Sequence, residues 1–152
     1  MNLFFDTSAL VKLFHEEEGS AETIALVEPK EVIIRVSALA RLEFVSSIWR
    51  KIRNYELDEA SGLASVREFE QAWLTFRIEP LGAGVLEEAE DMIRQHGKTV
   101  ALRTLDALHL ATFALIAEED WKFVLADGAF AKAARAMGFS VVNPLDAGGK
   151  GP

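Results

Sequence analysis

The sequence contains no cysteine. This excludes disulfides, thiolate catalysis and zinc–thiolate centres, and leaves carboxylates and three histidines to bind any metal. An ion held here is therefore expected to be hard. No apolar run approaches the ~20 residues that a membrane-spanning helix needs. No basic residue precedes the apolar segment of the opening MNLFFD, as one would in a secretory signal. The expectation is a cytoplasmic protein without a membrane partner. Positive charge is also scarce: 16 Lys and Arg face 24 Asp and Glu, a formal net charge of -8. That balance, with a pI near 4.9, argues against holding nucleic acid on a broad basic face. Divalent cations in an anionic site, or the basic surface of a partner protein, would change the local charge. Internal repeats, low-complexity segments and interdomain linkers are missing too. The 152 residues, half of them apolar, suffice for one core. A single domain is expected over residues 1–145, with a flexible C-terminal tail over 146–152.

What is present begins with Leu3-Phe4-Phe5 running into Asp6, Thr7 and Ser8. Three bulky apolar residues in a row read as a strand buried on both faces, as in a parallel sheet. A short helix follows over residues 9–14, and a second over 21–27. Residues 32–36 are β-branched and read as a strand, after which Ser37 caps a long helix to about Arg53. In that helix Leu42, Val45, Trp49 and Ile52 form the expected core stripe, widened by Phe44 and Ile48, with Glu43 off it. Asp58 caps a further helix that buries Leu63, Val66, Phe69 and Trp73. Short strands are expected at 76–78, 122–126 and 139–142, and helices at 85–96, 103–119 and 129–137. The helix over 103–119 is apolar nearly all round, yet carries Asp106 and His109 three residues apart, and buried ionisable groups need partners or a metal.

Strands separated by helices in this order predict an α/β fold: three layers, α/β/α, around a mainly parallel sheet of about five strands. In such sheets ligands bind beyond the carboxyl ends of the strands. Asp6 and Asp127 each follow a strand, while Glu43 and Asp106 lie in the opening turns of antiparallel helices, at the same edge. Each acid has an ordinary alternative: Asp6 and Asp106 as helix caps, Asp127 as part of an Asp-Gly turn, Glu43 as a solvated side chain. Those alternatives do not explain why all four fall at one end of the sheet. Packed carboxylates stay ionised only beside a cation, and oxygen-only ligands select magnesium or manganese. Such ions polarise phosphoryl oxygens and activate water, which is phosphodiester-hydrolysis chemistry.

The segments FFDTSALVKLF, SALARLEFVSSIWR, LRTLDALHLATFA and FVLADGAFAKAAR together resemble the PIN domain, in particular the VapC-like toxins of toxin–antitoxin pairs. The resemblance implies a magnesium-dependent endoribonuclease, with manganese as a possible substitute, often homodimeric and silenced by a cognate antitoxin. By position it implies Asp6, Glu43, Asp106 and Asp127 as the catalytic acids, with Asp6 and Asp106 the leading metal ligands. It also implies Thr7 and Ser8 as groups that position water or phosphate. Lys12 and Arg103 are placed as phosphate contacts, against the alternative of ordinary surface cations. A haloacid-dehalogenase-like phosphatase would need an aspartate where Ser8 stands. A response-regulator receiver would need paired acids and a late lysine. The competing reading from another class is a non-catalytic PIN-like protein that binds a partner or regulates.

Overall fold

Side chains alternate across the pleat of β1 (Asn2–Phe5), so Leu3 and Phe5 face one side of the sheet and Phe4 the other. In the computed structural model, which describes residues 1–146, all three are fully buried. β1 pairs in parallel with β2 (Ile33–Ser37) on one side and β4 (Lys122–Val124) on the other, with Phe5 opposite both Val36 and Val124. β3 (Arg77–Glu79) and β5 (Val141–Val142) complete a parallel sheet of order β3-β2-β1-β4-β5. The chain runs outward from β1 to β3, then returns to β4 on the other flank. The reversal falls beside β1, where an open α/β sheet forms its binding crevice.

One face carries α1 (Thr7–Leu10), its 3-10 extension Val11–Leu13, α2 (Ser20–Val27), α3 (Leu39–Arg53) and α4 (Glu59–Trp73). Their core joins Leu3, Phe5 and Val36 to Phe44, Ile48 and Phe69. The other face carries α5 (Ala83–His96), α6 (Thr104–Ile116) and α7 (Gly128–Ala136), packed over Phe4, Phe123 and Leu125. The expected three layers and five strands are therefore present, with every strand pair parallel. Phe44 stacks on Phe69 at 3.9 Å, and Phe14 meets both rings edge-on at 5.6 Å. Burial of each such ring contributes about 1.5–3 kcal/mol.

Two helix faces differ from expectation. The buried side of α3 is Ala40, Phe44 and Ile48, while Leu42 is 70% exposed and Trp49 also faces outward. The helix carries two adjacent apolar stripes, and docking of Phe44 on Phe69 selects the one that holds Phe44 and Ile48. On α4 the inward positions are Gly62, Ser65, Phe69 and Trp73, and Leu63 is exposed. A Cβ on Gly62 would lie 2.7 Å from Ile52 Cδ1, so α3 and α4 close together where only a hydrogen fits. In α6, Leu105 and Leu115 reach the surface even though most of the helix is buried. The N-cap of α3 is Ala38, one residue later than expected, and Ser37, the last residue of β2, accepts the Leu39 N–H at 3.2 Å. Of the expected tail, Asp146 accepts from Arg135 at 2.7 Å, and the remainder lies outside the described residues.

Candidate active site

Asp6 follows β1 in extended conformation and caps α1, its Oδ2 accepting the Ser8 N–H at 3.1 Å. The Ser8 hydroxyl donates to the same oxygen at 2.5 Å and accepts the Ala126 N–H at 2.9 Å, tying the end of β1 to the end of β4. Capping thus occupies Oδ2. Oδ1 has His109 Nε2 as a neighbour at 3.6 Å. Asp127 caps α7 in the same manner: Oδ1 accepts the Phe130 N–H at 2.9 Å, and Oδ2 pairs with Arg103 at 2.8 Å. Asp106, in the first turn of α6, accepts from Arg103 Nε at 2.6 Å. Glu43, in the second turn of α3, accepts the Thr7 hydroxyl at 2.9 Å on Oε1, and His109 Nε2 is hydrogen-bonded to that same oxygen.

These acids line one cleft of about 420 Å³ at the carboxyl edge of the sheet, together with Thr7, Ser8, Ser47, Arg50, Arg103 and Thr104. Burial pushes the Asp106 carboxyl up; Arg103 opposes this, but the nearby charges of Asp6 and Asp127 reinforce it, and the carboxyl sits above its ordinary value. Burial also pushes Asp127 up, but the Phe130 N–H and the Arg103 guanidinium outweigh it and hold the carboxyl low. For Glu43 burial acts upward again and is overcome, chiefly by the hydrogen bond and charge of His109. Burial alone would lower His109, yet the Glu43 bond and the charges of Asp6, Glu43 and Asp106 raise it. Glu43 and His109 are thus hydrogen-bonded partners that each favour the charged form of the other. Across the cleft Arg103 neutralises Asp106 and Asp127, and its own pKa is raised by them.

All four predicted acids meet here. Thr7 and Ser8 also line the cleft, but their hydroxyl hydrogens are committed to Glu43 and Asp6, so in this conformation they orient carboxylates instead of facing water or phosphate. Lys12 does not belong to the site. It is buried, and its ammonium donates to Glu17 at 2.9 Å and to the Glu18 carbonyl at 2.7 Å, which corrects its placement as a phosphate contact. Ser47 and Arg50, which the sequence analysis does not single out, also line the cleft. Both follow Glu43 at i+4 and i+7, one helix face, and that spacing was the available signal.

The donor set suits a hard divalent cation: four carboxylates and no sulfur. Among the described residues no three acidic or imidazole side chains are gathered into a ready ion cage. Arg103 occupies one oxygen each of Asp106 and Asp127.

A family model described as PIN domain matches residues 3–136. The chain is 34% identical over 110 residues to ribonuclease VapC45 of Mycobacterium tuberculosis, spanning 72% of this chain and 73% of that protein. In fold it resembles M. tuberculosis VapC20, a sarcin–ricin loop cleaving toxin, with a TM-score of 0.69 at 20% identity, covering 93% of this chain and 99% of that one. A chain of a toxin–antitoxin complex from Klebsiella pneumoniae superposes with a TM-score of 0.62 at 18% identity, covering 93% and 97%. At those identities the two structures speak to the fold alone.

Proposed function

We propose that this chain, which belongs to the PIN domain family, is an endoribonuclease that hydrolyses RNA phosphodiester bonds and is the toxin of a toxin–antitoxin pair. The observation that carries this reading is the convergence of Asp6, Glu43, Asp106 and Asp127, from four separate segments, on one cleft. Its kinship to a ribonuclease at 34% identity supports catalysis over a binding-only role. The likeness to a chain from a toxin–antitoxin complex supports a cognate antitoxin as partner. We place the protein in the cytoplasm as a homodimer; among the described residues no helix is long and apolar enough to cross a membrane.

We assign Asp6 and Asp106 as the principal ligands of magnesium, or of manganese in its place, with Glu43 and Asp127 completing the acidic set. When bound, such an ion lowers the pKa of water and offsets charge on the phosphoryl oxygens. The protein's own contribution is placement. Ser8 fixes one oxygen of Asp6, the Phe130 N–H fixes one oxygen of Asp127, and Thr7 with His109 fixes one of Glu43. Pre-fixed charges need no reorganisation during the reaction. Arg103, once released from its two acids, is within reach of a phosphate at the cleft mouth, and its planar fork suits that partner.

The test is cleavage of a labelled total-RNA pool by the purified protein, with magnesium or manganese against chelator, alongside Asp6→Asn. Discrete fragments that require both the ion and Asp6 are expected. Equal cleavage by Asp6→Asn, or none from folded, antitoxin-free protein, would overturn the assignment.

A further inference from the structure

We infer that His109 is a positioning residue: with Thr7 it clamps Oε1 of Glu43 so that Oε2 is turned to the cleft where the cation binds. The inference rests on the nuclease reading above. Thr7 and His109 approach Glu43 from different elements, α1 and α6, yet both bond the same oxygen, Thr7 at 2.9 Å. No other donor among the described residues is hydrogen-bonded to Glu43, so Oε2 is the oxygen left over. A glutamate has three rotatable bonds, and two fixed bonds to one oxygen remove most of that freedom.

The placement of His109 fits this role better than packing does. Its side chain has no exposure, and its neighbours Leu108, Leu110 and Ala111 make the helix a hydrophobic core element in which a leucine would serve. Nδ1 has no hydrogen-bond partner among the described residues, so no hydrogen bond behind the ring sets its orientation. The ring is held from the front by its hydrogen bond to Glu43, with Asp6 Oδ1 a neighbour of the same nitrogen at 3.6 Å. It lies one turn after Asp106 on the same face of α6, so a single helix supplies both a predicted ligand and the group that sets another. Outer groups that orient metal ligands typically change ion affinity or activity by about 10- to 100-fold when removed.

The experiment compares wild type with Thr7→Val, Thr7→Ser, His109→Leu and His109→Gln. Three things are measured: manganese affinity by titration calorimetry, kcat and KM on one RNA substrate separately, and the unfolding temperature without metal. Thr7→Val and His109→Leu should each weaken manganese binding about tenfold or more and lower kcat, with KM little changed. Thr7→Ser and His109→Gln, which keep a donor, should recover most of both. The double variant Thr7→Val/His109→Leu should lose less than the two single losses combined, since both groups hold one oxygen. Wild-type manganese affinity and kcat in folded Thr7→Val or His109→Leu would refute the clamp, as would a His109→Gln no better than a folded His109→Leu. If His109→Leu does not fold, Thr7→Val and His109→Gln decide the matter. Failure of the wild type itself to bind manganese or cleave RNA would instead remove the nuclease reading.

Discussion

Replacing Arg103 by alanine should make divalent ions bind more tightly, although Arg103 sits in the site and is placed here as a substrate contact. Its guanidinium bonds Asp106 at 2.6 Å and Asp127 at 2.8 Å, while its side chain is 68% exposed. Solvent-screened pairs of this kind are worth about 0.2–1 kcal/mol each. The two together therefore set a barrier to ion entry of about 0.4–2 kcal/mol, or roughly 2- to 30-fold in affinity. Alanine removes that competition and leaves Asp106, Asp127 and Asp6 repelling one another, which a divalent ion relieves. One effect runs the other way. Burial and the charges of Asp6 and Asp127 push the Asp106 carboxyl above its ordinary value, and loss of Arg103 removes the group that opposes this. Titration calorimetry with manganese should show tighter binding by Arg103→Ala, and the gap from wild type should narrow as salt is added. Cleavage efficiency should fall at the same time, if the released guanidinium serves the phosphate. Unchanged or weaker manganese binding by a folded Arg103→Ala would refute the account of Arg103 as a competing cation.

Acid should destabilise the protein partly through Glu17, which lies between Lys12 at 2.9 Å and Lys51 at 2.7 Å. Burial pushes this carboxyl up, but the hydrogen bonds from Lys51 and Lys12 and their charges prevail and hold it below its ordinary value. A depressed folded-state pKa gives stability that is present above the unfolded value of about 4.3 and lost as pH falls through the folded one. Urea unfolding across that range should show a shallower acid loss for Glu17→Gln than for wild type; parallel curves would contradict the pairing. Phe44→Ala should cost about 3–5 kcal/mol in the same assay, because it opens a cavity against Phe69 and Phe14. Leu42→Lys should change stability by no more than about 0.5 kcal/mol, since Leu42 faces solvent. The opposite ranking would mean that α3 is rotated from its position here.

The sheet and the acidic edge were legible because they depend on short-range patterns. Leu3-Phe4-Phe5 is apolar without alternation, which only a doubly covered strand explains. Asp6 and Asp127 follow strands, Asp106 opens a helix, and handedness rules put those ends on one side. Capping and site geometry also proved compatible. Asp6 and Asp127 each use one oxygen for a backbone N–H and keep the other for the cleft or for Arg103. The sequence alone had set these up as alternatives. Lys12 was misplaced for a different reason: its partners, Glu17 and the Glu18 carbonyl, lie beyond a turn whose path local pattern does not specify.

The rotation of α3 shows where pattern reading fails and why the site survived the error. At about 100° per residue, Ala40, Phe44 and Ile48 span one arc, Leu42, Val45, Trp49 and Ile52 a second of similar width beside it, and Glu43, Ser47 and Arg50 a third. Counting apolar residues favours the second arc for the core. Ring stacking of Phe44 on Phe69, at 3.9 Å, turns the first arc inward instead. That choice depends on a residue 25 positions away in α4, which no local window contains. Glu43 was expected off the stripe under either choice, but only the observed rotation turns its face, shared with Ser47 and Arg50, toward the ends of β1 and β4. The aromatic stack on one side of α3 and the carboxylate on another are thus coupled. A substitution at Phe69 that let α3 turn would disturb the cleft without touching any residue that lines it.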